Sequence, residues 1–522
     1  MSTLAGCAYT DLCSEVARCA PDPEPPPGPC AGDPDTAPAL DQCGVFVSTL
    51  GDDRSPGTKD APVKTLQHAV GLASSGRGGE APTRRIYACG GMFKDEITLP
   101  SGVDLWGARL CDGGDWSYDG SFGGPNEFTV IAPPVGIPVR VIAGDAAVMA
   151  GDDATSMIFG VRAVAADASA SDGKSSIAMI LSPGARATVK VSEVLAGNGQ
   201  DGEPGEDAPS FRADPGVVGN DGADACTADV AMGALPVVTV CDDGIESTGG
   251  YGGDGGLERG GDGTSGLPEP AGNPEIRGLA GGGASSMGCT EGQNGADGAP
   301  AGHAAGAVGD GRLGVDGWIG VRGEDGKRGG VGQGGGGGGG GKGRGPMNAC
   351  PTGRPQGGAA GGSGGSGGCG GKGGQGGGYG GASIGIVALQ GSVLAVEAST
   401  VLGARGGDGG VGGTGQWGGL GGWPSHGGHA LATGTAHGCG GGGGGHGGRG
   451  GGGGGGLGGA SFGIASMSAS VSLLQDATVS PGQPGQGGLA GNTAVGDAPG
   501  QGSVGPSLFW YRFDAPDPEP PL

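Results

Sequence analysis

The stretch Ser383–Val401, SIGIVALQGSVLAVEASTV, has two gap-free counterparts in the chain, Ser176–Val194 and Ser461–Val479. Each repeat begins with serine, ends with valine and is rich in the β-branched and aliphatic residues that favour strands. Glycine-rich sequence follows each repeat, and the repeats start much further apart than the length of one of them. We therefore predict that they are successive turns of one repeat architecture. Each turn would extrude its glycine block at the same corner, so that the blocks lie side by side.

Short apolar runs precede the first repeat, and turn residues separate them. Each run is strand-sized and bounded by Gly, Pro or Asp, with too little room between runs for the helices of a βαβ sheet. One helix is predicted over Thr65–Ala73, where apolar residues recur at helical spacing, and it would shield the open end of the repeat array. The predicted strands are Ile86–Ala88, Ile97–Leu99, Val103–Trp106, Phe128–Ile131, Val139–Ile142 and Met157–Val161.

Two stretches of this region resemble a known family. Val47–Val70, VSTLGDDRSPGTKDAPVKTLQHAV, resembles the opening of pectin-lyase-like right-handed β-helix proteins, and Leu99–Gly107, LPSGVDLWG, resembles their first turns. The resemblance covers about residues 44–197. It implies an all-β fold, a right-handed parallel β-helix, from which the long glycine-rich insertions emerge.

Composition limits where a conventional core can form. Glycine supplies 138 of 522 residues and aromatic residues only 4%, so apolar packing is confined to the strand-like segments. The chain divides into a Cys- and Pro-rich leader at 1–43, an N-terminal strand region with its helix at 44–200, glycine-rich insertions at 201–382, 403–460 and 481–504, single turns at 383–402 and 461–480, a final strand at 505–514, and a Pro-rich acidic tail at 515–522.

The glycine blocks have a period of three. In residues 361–376 and 405–429 two glycines usually precede each larger residue, as at Ser363, Ser366 and Cys369. Three residues per turn is the repeat of a polyproline-II-type helix, which makes no internal hydrogen bonds and must therefore pack closely against neighbours. We predict packed polyglycine-II-type helices, with the GGx segments at the rim of the bundle. Disorder is the alternative, because ordering glycine costs the most backbone entropy.

The glycine tracts also resemble the PGRS-type glycine-rich surface proteins of mycobacteria and myxobacteria. The chain departs from the mycobacterial form because it has no helical N-terminal domain in the sequence given. The resemblance implies a cell-surface or matrix protein, of the kind found as a myxobacterial-type surface lipoprotein.

Thirteen cysteines in a chain this poor in hydrophobic residues indicate an oxidising compartment. The sequence has no CxxC spacing, which favours disulfides over a zinc site. We predict the pairs Cys89–Cys111 and Cys226–Cys241. The partners of the remaining cysteines of the glycine-rich stretches stay open, namely Cys289, Cys350, Cys369 and Cys439.

The first residues suggest a membrane anchor. Leu4-Ala5-Gly6-Cys7 has the form of a bacterial lipobox, although no charged and apolar stretch precedes it. One hypothesis is that Met1 is a misassigned start and that Cys7 is the lipidated first residue of a mature lipoprotein. The other is a chance tetrapeptide on a secreted chain.

Charge and motifs restrict the ligands. A formal charge of -25 argues against a nucleic-acid partner, which needs clustered Lys and Arg. We predict no cofactor, with Ca²⁺ as the open alternative because Gly252–Gly256 and Gly261–Gly263 resemble Ca²⁺-binding nonapeptides in part. His426 and His429 lie about 9 Å apart on one edge of a period-three helix, too far to share an ion without His437 or His446 from a neighbouring segment.

The acidic residues do not form a recognisable catalytic pattern. An Asp pair followed by Gly-His-Gly and Arg-Ile-Lys, as in polygalacturonases, is not found. Acidic residues that follow glycine in turns are commonly solvated turn formers. We therefore predict that the chain is not an enzyme. The candidate acids are Asp52, Asp53, Asp104, Asp112, Asp115, Asp152 and Asp153.

These observations predict a non-enzymatic structural or adhesive protein of the cell surface or the extracellular space. Its contact residues would be Trp417 and Trp423. Its partners would be a cell-surface polysaccharide or other surface proteins. A lipid anchor would link it to the outer membrane. A β-helix that binds or cleaves carbohydrate is the alternative. An ice- or mineral-binding protein would need ordered ranks of Thr or Asp, which the sequence does not show.

Overall fold

The structure is a computed structural model that describes residues 28–112, 114–118, 120, 128–144, 155–169, 174–270, 276–314, 317–343, 350–431, 436–492 and 499–514. The predictions for Cys7, Asp152, Asp153 and the tail at 515–522 lie outside these residues. The chain forms two compact units, the first comprising Met1–Gly91 with Val103–Thr129 and the second Met92–Gly102 with Val130–Leu522.

Nearly all regular structure in the described residues is β, and most strands pair in parallel. The exception is one helix, α1 (Leu66–Ser75). The strands are β1 (Val45–Val47), β2 (Arg85–Cys89), β3 (Gly91–Phe93), β4 (Ile97–Pro100), β5 (Asp104–Arg109), β6 (Thr129–Ile131), β7 (Val139–Ile142), β8 (Ser156–Phe159), β9 (Val161–Val164), β10 (Ser176–Leu181), β11 (Arg186–Lys190), β12 (Glu193–Leu195), β13 (Val238–Val240), β14 (Glu246–Thr248), β15 (Arg312–Gly314), β16 (Gly317–Ile319), β17 (Ser383–Ala388), β18 (Val393–Glu397), β19 (Thr400–Leu402), β20 (Ser461–Met467), β21 (Ser470–Leu473), β22 (Thr478–Ser480) and β23 (Ser507–Phe513).

The first compact unit holds the helix against a small parallel sheet. Strands β1, β2 and β5 pair so that Phe46, Tyr87 and Trp106 stand side by side, with ring centroids 5.0 and 5.7 Å apart. The predicted helix is confirmed: Thr65 is its N-cap, and the Thr65 side chain accepts a hydrogen bond from the backbone of His68. Its apolar face packs on β1 and β2.

In the second unit the strands fall into three parallel sheets. Sheet 1 contains β4, β7, β10, β17, β20 and β23 in that order. Sheet 2 contains β8, β11, β18 and β21, and sheet 3 contains β3, β6, β9, β12, β19 and β22. Each repeat therefore gives one strand to each sheet.

The predicted stacking of the three repeats is confirmed. Ile177 pairs with Ile384 and Ile384 with Phe462 in sheet 1. In sheet 3 the three valines at the ends of the repeats, Val194, Val401 and Val479, are likewise neighbours. The repeats thus lie one above another, in register in sheets 1 and 3; in sheet 2 Val393 pairs with Ser470, one residue away from the gap-free alignment.

The serine that opens each repeat fixes the point where a glycine block leaves. The Ser383 hydroxyl accepts from the backbone N–H of Ala404 and donates to the carbonyl of Gly197. Ser176 and Ser461 make the same pair of bonds one turn earlier and one turn later. The serine therefore satisfies partly buried backbone groups at the point where the glycine block begins.

The prediction of one strand over Met157–Val161 is wrong. Gly160 adopts φ 65°, a left-handed conformation, and divides the run into β8 and β9 in different sheets. The three repeats turn the same corner between sheets 2 and 3 at Val191, Ala398 and Asp476, which also have positive φ values of 48°, 44° and 58°. The repeats thus share their corner geometry as well as their strands.

The glycine blocks are packed side by side, as predicted. Extended segments within them, which we call rods, bond to each other through backbone groups at every third residue. They are rod 1 (198–225), rod 2 (249–256), rod 3 (260–267), rod 4 (278–284), rod 5 (290–307), rod 6 (321–343), rod 7 (357–381), rod 8 (403–429), rod 9 (437–460), rod 10 (481–492) and rod 11 (500–506).

The first part of rod 6 is largely exposed, whereas its segment Gly334–Gly341 lies inside the bundle. Its amides donate to carbonyls of rods 3, 5 and 7, and its carbonyls accept from rods 2, 4 and 9. With six neighbours, this segment has no edge left for a side chain. The uninterrupted run of glycines over Gly334–Gly341 follows from that position, and all of it is buried.

The prediction that GGx segments lie at the rim is right for rod 8 and for Lys372 and Gln375 of rod 7, and it is wrong for the first part of rod 7. Along rod 7 the side chains of Ser363, Ser366 and Cys369 are buried. They are small enough to face rod 1, where the two serine hydroxyls accept from the backbone of Asn220 and Val217. A GGx pattern therefore leaves open whether the third edge meets solvent or another rod.

Cysteine pairing connects the rods. The predicted pair Cys89–Cys111 is confirmed, and Cys30 pairs with Cys43. The predicted pair Cys226–Cys241 is wrong, since Cys226 bonds to Cys350 and Cys241 to Cys369. Cys226 lies beside Gly357 at the start of rod 7, and Cys369 is about 37 Å further along at ~3.1 Å per residue. Cys289 pairs with Cys439.

The first glycine block also contains two short antiparallel hairpins, one formed by β13 and β14 and the other by β15 and β16. The sequence did not predict these hairpins. The second hairpin carries Trp318, which is 1% exposed and packs among Ile177, Ile384 and Phe462 of sheet 1. The hairpin thereby attaches the glycine bundle to the strand region.

Candidate contact surface

Rod 8 presents a row of large apolar side chains to solvent. Trp417, Leu420 and Trp423 are 51%, 49% and 75% exposed. They occupy the third position of successive GGx triplets and so share one edge of the rod. We call these three residues the ridge.

The backbone beneath the ridge is held on several sides. The Gly419 amide donates to the Cys369 carbonyl of rod 7, at 2.9 Å, and the Gly419 carbonyl accepts from Gly447 of rod 9, at 2.8 Å. The Leu420 carbonyl accepts from Gly216 of rod 1, at 2.7 Å. The ridge is therefore a fixed surface rather than the tip of a loop.

Two arginines flank Trp417. The guanidinium carbons of Arg449 and Arg212 lie 4.4 and 5.6 Å from the centre of its ring. Arg212 donates to the Gly418 carbonyl and Arg449 to the Asn492 side chain. No described carboxylate forms an ion pair with either arginine, whereas Arg328 and Arg405 pair with aspartates. The two arginines thus place positive charge directly beside Trp417.

Further apolar side chains continue the surface onto rod 1. Phe211, Val217 and Val218 are exposed there, and rod 1 bonds to rod 8 beside Trp417 and Trp423. Exposed apolar residues that adjoin one another on a rigid support are typical of interaction surfaces.

Four of the candidate catalytic acids, Asp52, Asp53, Asp104 and Asp115, make local contacts in the structure. The Asp104 carboxylate lies 3.5 Å from Arg85, and that of Asp115 accepts from the backbone of Ser117. Asp52 accepts from the backbone of Arg54. Burial acts to raise the pKa of Asp53, but hydrogen bonds from the backbone of Thr65 and Lys64 outweigh it and lower that pKa. Each of these four carboxylates therefore has a local structural partner.

The histidines and the nonapeptide-like segments are also engaged in local bonds. The Asp254 and Asp262 carboxylates accept from the amides of Gly233 and Gly283, each at 2.7 Å. Nδ1 of His446 accepts from Gly421 at 2.9 Å, and Nδ1 of His437 from Ala430 at 3.2 Å. Within the described part of the chain, no three His, Cys, Asp or Glu side chains are grouped to hold a metal ion.

Sequence reasoning missed a role for the aspartates of rod 1. Their side chains accept from the outward-facing amides of rod 8, which have no backbone acceptor. The bonds join Asp201 to Asp408, Asp207 to Thr414, Asp221 to His426 and Asp224 to His429, at 2.7 to 2.8 Å. Asn198 accepts from Arg405 in the same way. The signal in the sequence was an Asp or Asn at period-three positions.

Asp207 provides a pH test of this arrangement. Hydrogen bonds from the backbone and the hydroxyl of Thr414 lower the pKa of Asp207. Its contribution to stability is therefore present above the ordinary carboxyl pKa and is lost as pH falls through the lowered value. We expect Asp207→Ala to destabilise the chain at pH 7 by less than about 1 kcal/mol, because the site is exposed.

The measurement is urea unfolding of the wild type and of Asp207→Ala at pH 7 and at pH 3. The difference should shrink at the lower pH. Asp207→Asn keeps an acceptor oxygen, as Asn198 does naturally, and should behave closer to the wild type at pH 7. A difference of the same size at both pH values would contradict the role given to the carboxylate.

No protein-family model, curated protein or solved structure matches this chain. Five disulfides indicate an oxidising compartment, outside the cell or on a secretory route. None of the described helices is long and apolar enough to span a membrane.

Proposed function

We propose that the chain is a non-enzymatic extracellular protein with a structural and adhesive role. In this proposal the three parallel sheets form a right-handed parallel β-helix, and the rods are polyglycine-II-type helices that its turns extrude. Each repeat contributes one strand to each of sheets 1, 2 and 3, and this arrangement supports the β-helix. The backbone bonds at every third residue support the polyglycine-II-type helices.

The proposed adhesive role rests on the ridge. It places two tryptophans on the surface of a bundle whose backbone is fixed by its neighbours. Rigid exposed aromatic residues offer a large contact area at little cost in conformational entropy. Attachment to cell-surface polysaccharide or to other surface proteins is the role that fits such a surface, and lipidation at Cys7 would hold the chain at the outer membrane.

The test compares the wild type with Trp417→Ala/Trp423→Ala. Beads coated with each chain are presented to surfaces that carry either bacterial surface polysaccharide or the wild-type chain. We expect the double variant to attach at least tenfold less to one of these surfaces, because the aromatic contact area is lost. Its fold should be retained, since both side chains are largely exposed.

Val411→Ala is the matched control, because Val411 lies on the same edge of rod 8 outside the ridge. It should attach like the wild type. Unchanged attachment of the double variant to both surfaces would contradict the adhesive role. Release of reducing sugar from the polysaccharide by the wild-type chain would favour the carbohydrate-cleaving alternative.

A further inference from the structure

The spacing of the ridge side chains along rod 8 favours an extended ligand. Its side chains recur every three residues, which is about 9.3 Å at ~3.1 Å per residue. A proline-rich peptide in the polyproline II conformation has the same three residues per turn and the same rise. When such a peptide lies along rod 8, each of its turns meets one ridge position, and aromatic-lined surfaces are the ordinary receptors of these peptides.

The chain itself contains a segment of this kind twice. The hexapeptide PDPEPP occupies residues 21–26 near the N-terminus and residues 516–521 in the tail. Proline fixes φ, so the sequence predicts an extended segment that loses little entropy on binding. Each copy contains one aspartate and one glutamate. These charges complement Arg212 and Arg449, which flank Trp417 without a described carboxylate partner.

The tail of the same molecule is too short to reach the ridge. Rod 8 leaves the strand region after Leu402, and Trp417 lies fifteen residues further, about 46 Å along the rod. Residues 515–522 reach at most about 29 Å beyond Asp514 when fully extended. A PDPEPP segment at 516–521 that occupies the ridge must therefore come from another molecule.

We infer that the ridge binds the PDPEPP segment of a second copy of this chain. The inference rests on the proposed adhesive function and names its partner. The tail of one molecule and the ridge of the next are different surfaces, so the contact is heterologous and can join molecules into rings or open chains. The protein would thus attach to itself, from molecule to molecule.

The direct experiment titrates a fluorescent peptide of residues 514–522 with the full-length chain and follows anisotropy. We expect saturable binding that is weakened at least tenfold by Trp417→Ala/Trp423→Ala. Arg212→Gln/Arg449→Gln should weaken binding and reduce its dependence on salt, because the ion pairs are lost. A peptide with every proline changed to alanine has the same charge and should bind at least tenfold more weakly.

Several outcomes would overturn the inference: no saturable binding, binding that the double Trp variant leaves unchanged, or equal binding of the alanine peptide. Sedimentation velocity adds a second readout on the intact protein. The full-length chain with Pro23, Pro25, Pro26, Pro518, Pro520 and Pro521 changed to alanine should lose concentration-dependent self-association. Self-association equal to that of the wild type would also count against the inference.

The two proposals fail in different ways. If the double Trp variant loses attachment to polysaccharide while the peptide does not bind, the ridge is adhesive and the inference of a PDPEPP partner is wrong. If the double Trp variant attaches normally to both surfaces, the proposed function itself is wrong.

Discussion

Gly337→Ala should destabilise the chain by about 3 kcal/mol or more, at the upper end of what an added methyl group does in a packed interior. A Cβ at this position would lie far inside van der Waals contact of the Tyr251 carbonyl oxygen and close to the backbone of Gly252. Those atoms belong to rod 2, so they cannot move aside as a side chain can. The whole of rod 6 would have to shift among its neighbours.

Gly443→Ala is the matched control. A Cβ there would meet the Gly422 oxygen and the Pro424 ring at 3.4 Å, an ordinary contact distance. Neither glycine has a positive φ, so backbone strain does not separate the two variants. Gly443→Ala should be neutral or more stable by up to about 1 kcal/mol, because alanine restricts the unfolded chain. Equal urea midpoints for the two variants would show that rod 6 is not closely surrounded.

Trp318→Ala should lower stability by about 3 to 5 kcal/mol, the range for removing a buried Trp or Phe. The ring is buried against sheet 1, its indole N–H donates to the Asp310 carbonyl at 2.9 Å, and it meets Tyr379 edge-on at 5.8 Å. Its loss should free the β15–β16 hairpin from the strand region. We would measure this as a lower urea midpoint together with faster protease cleavage between Val308 and Arg322.

The same substitution at Trp423, which is largely exposed, is the control and should change stability by no more than about 0.5 kcal/mol. Trp318→Ala and Trp423→Ala with equal midpoints and equal cleavage rates would contradict the attachment of the glycine bundle through the hairpin.

Features that repeat along the chain could be predicted from the sequence. The gap-free alignment of Ser176, Ser383 and Ser461 predicts the register of sheet 1, because a strand register is set once equivalent residues stack. The period of three in the glycine blocks predicts lateral bonding, since such a helix has no internal hydrogen bonds. The helix at Leu66 follows from its apolar spacing.

Features that depend on which rods become neighbours were not predictable. A GGx pattern is the same for rod 7 and for rod 8, yet Ser366 is buried and Trp423 is exposed. Cys226 and Cys241 are close in sequence but lie opposite different parts of rod 7. The ridge could be predicted only in part. The sequence indicates its two tryptophans as contact residues, whereas Arg449 reaches Trp417 only because rods 8 and 9 pack together.

Hydrogen exchange of Gly334–Gly341 tests the central claim most directly. Each of these eight amides donates to a carbonyl of a neighbouring rod, and the segment is buried. We expect these amides to exchange as slowly as the amides of β17, because both sets are exposed to solvent only when the packed structure opens. Exchange at the rate of an unstructured peptide, with β17 still protected, would show that the glycine blocks are not packed and would contradict the account.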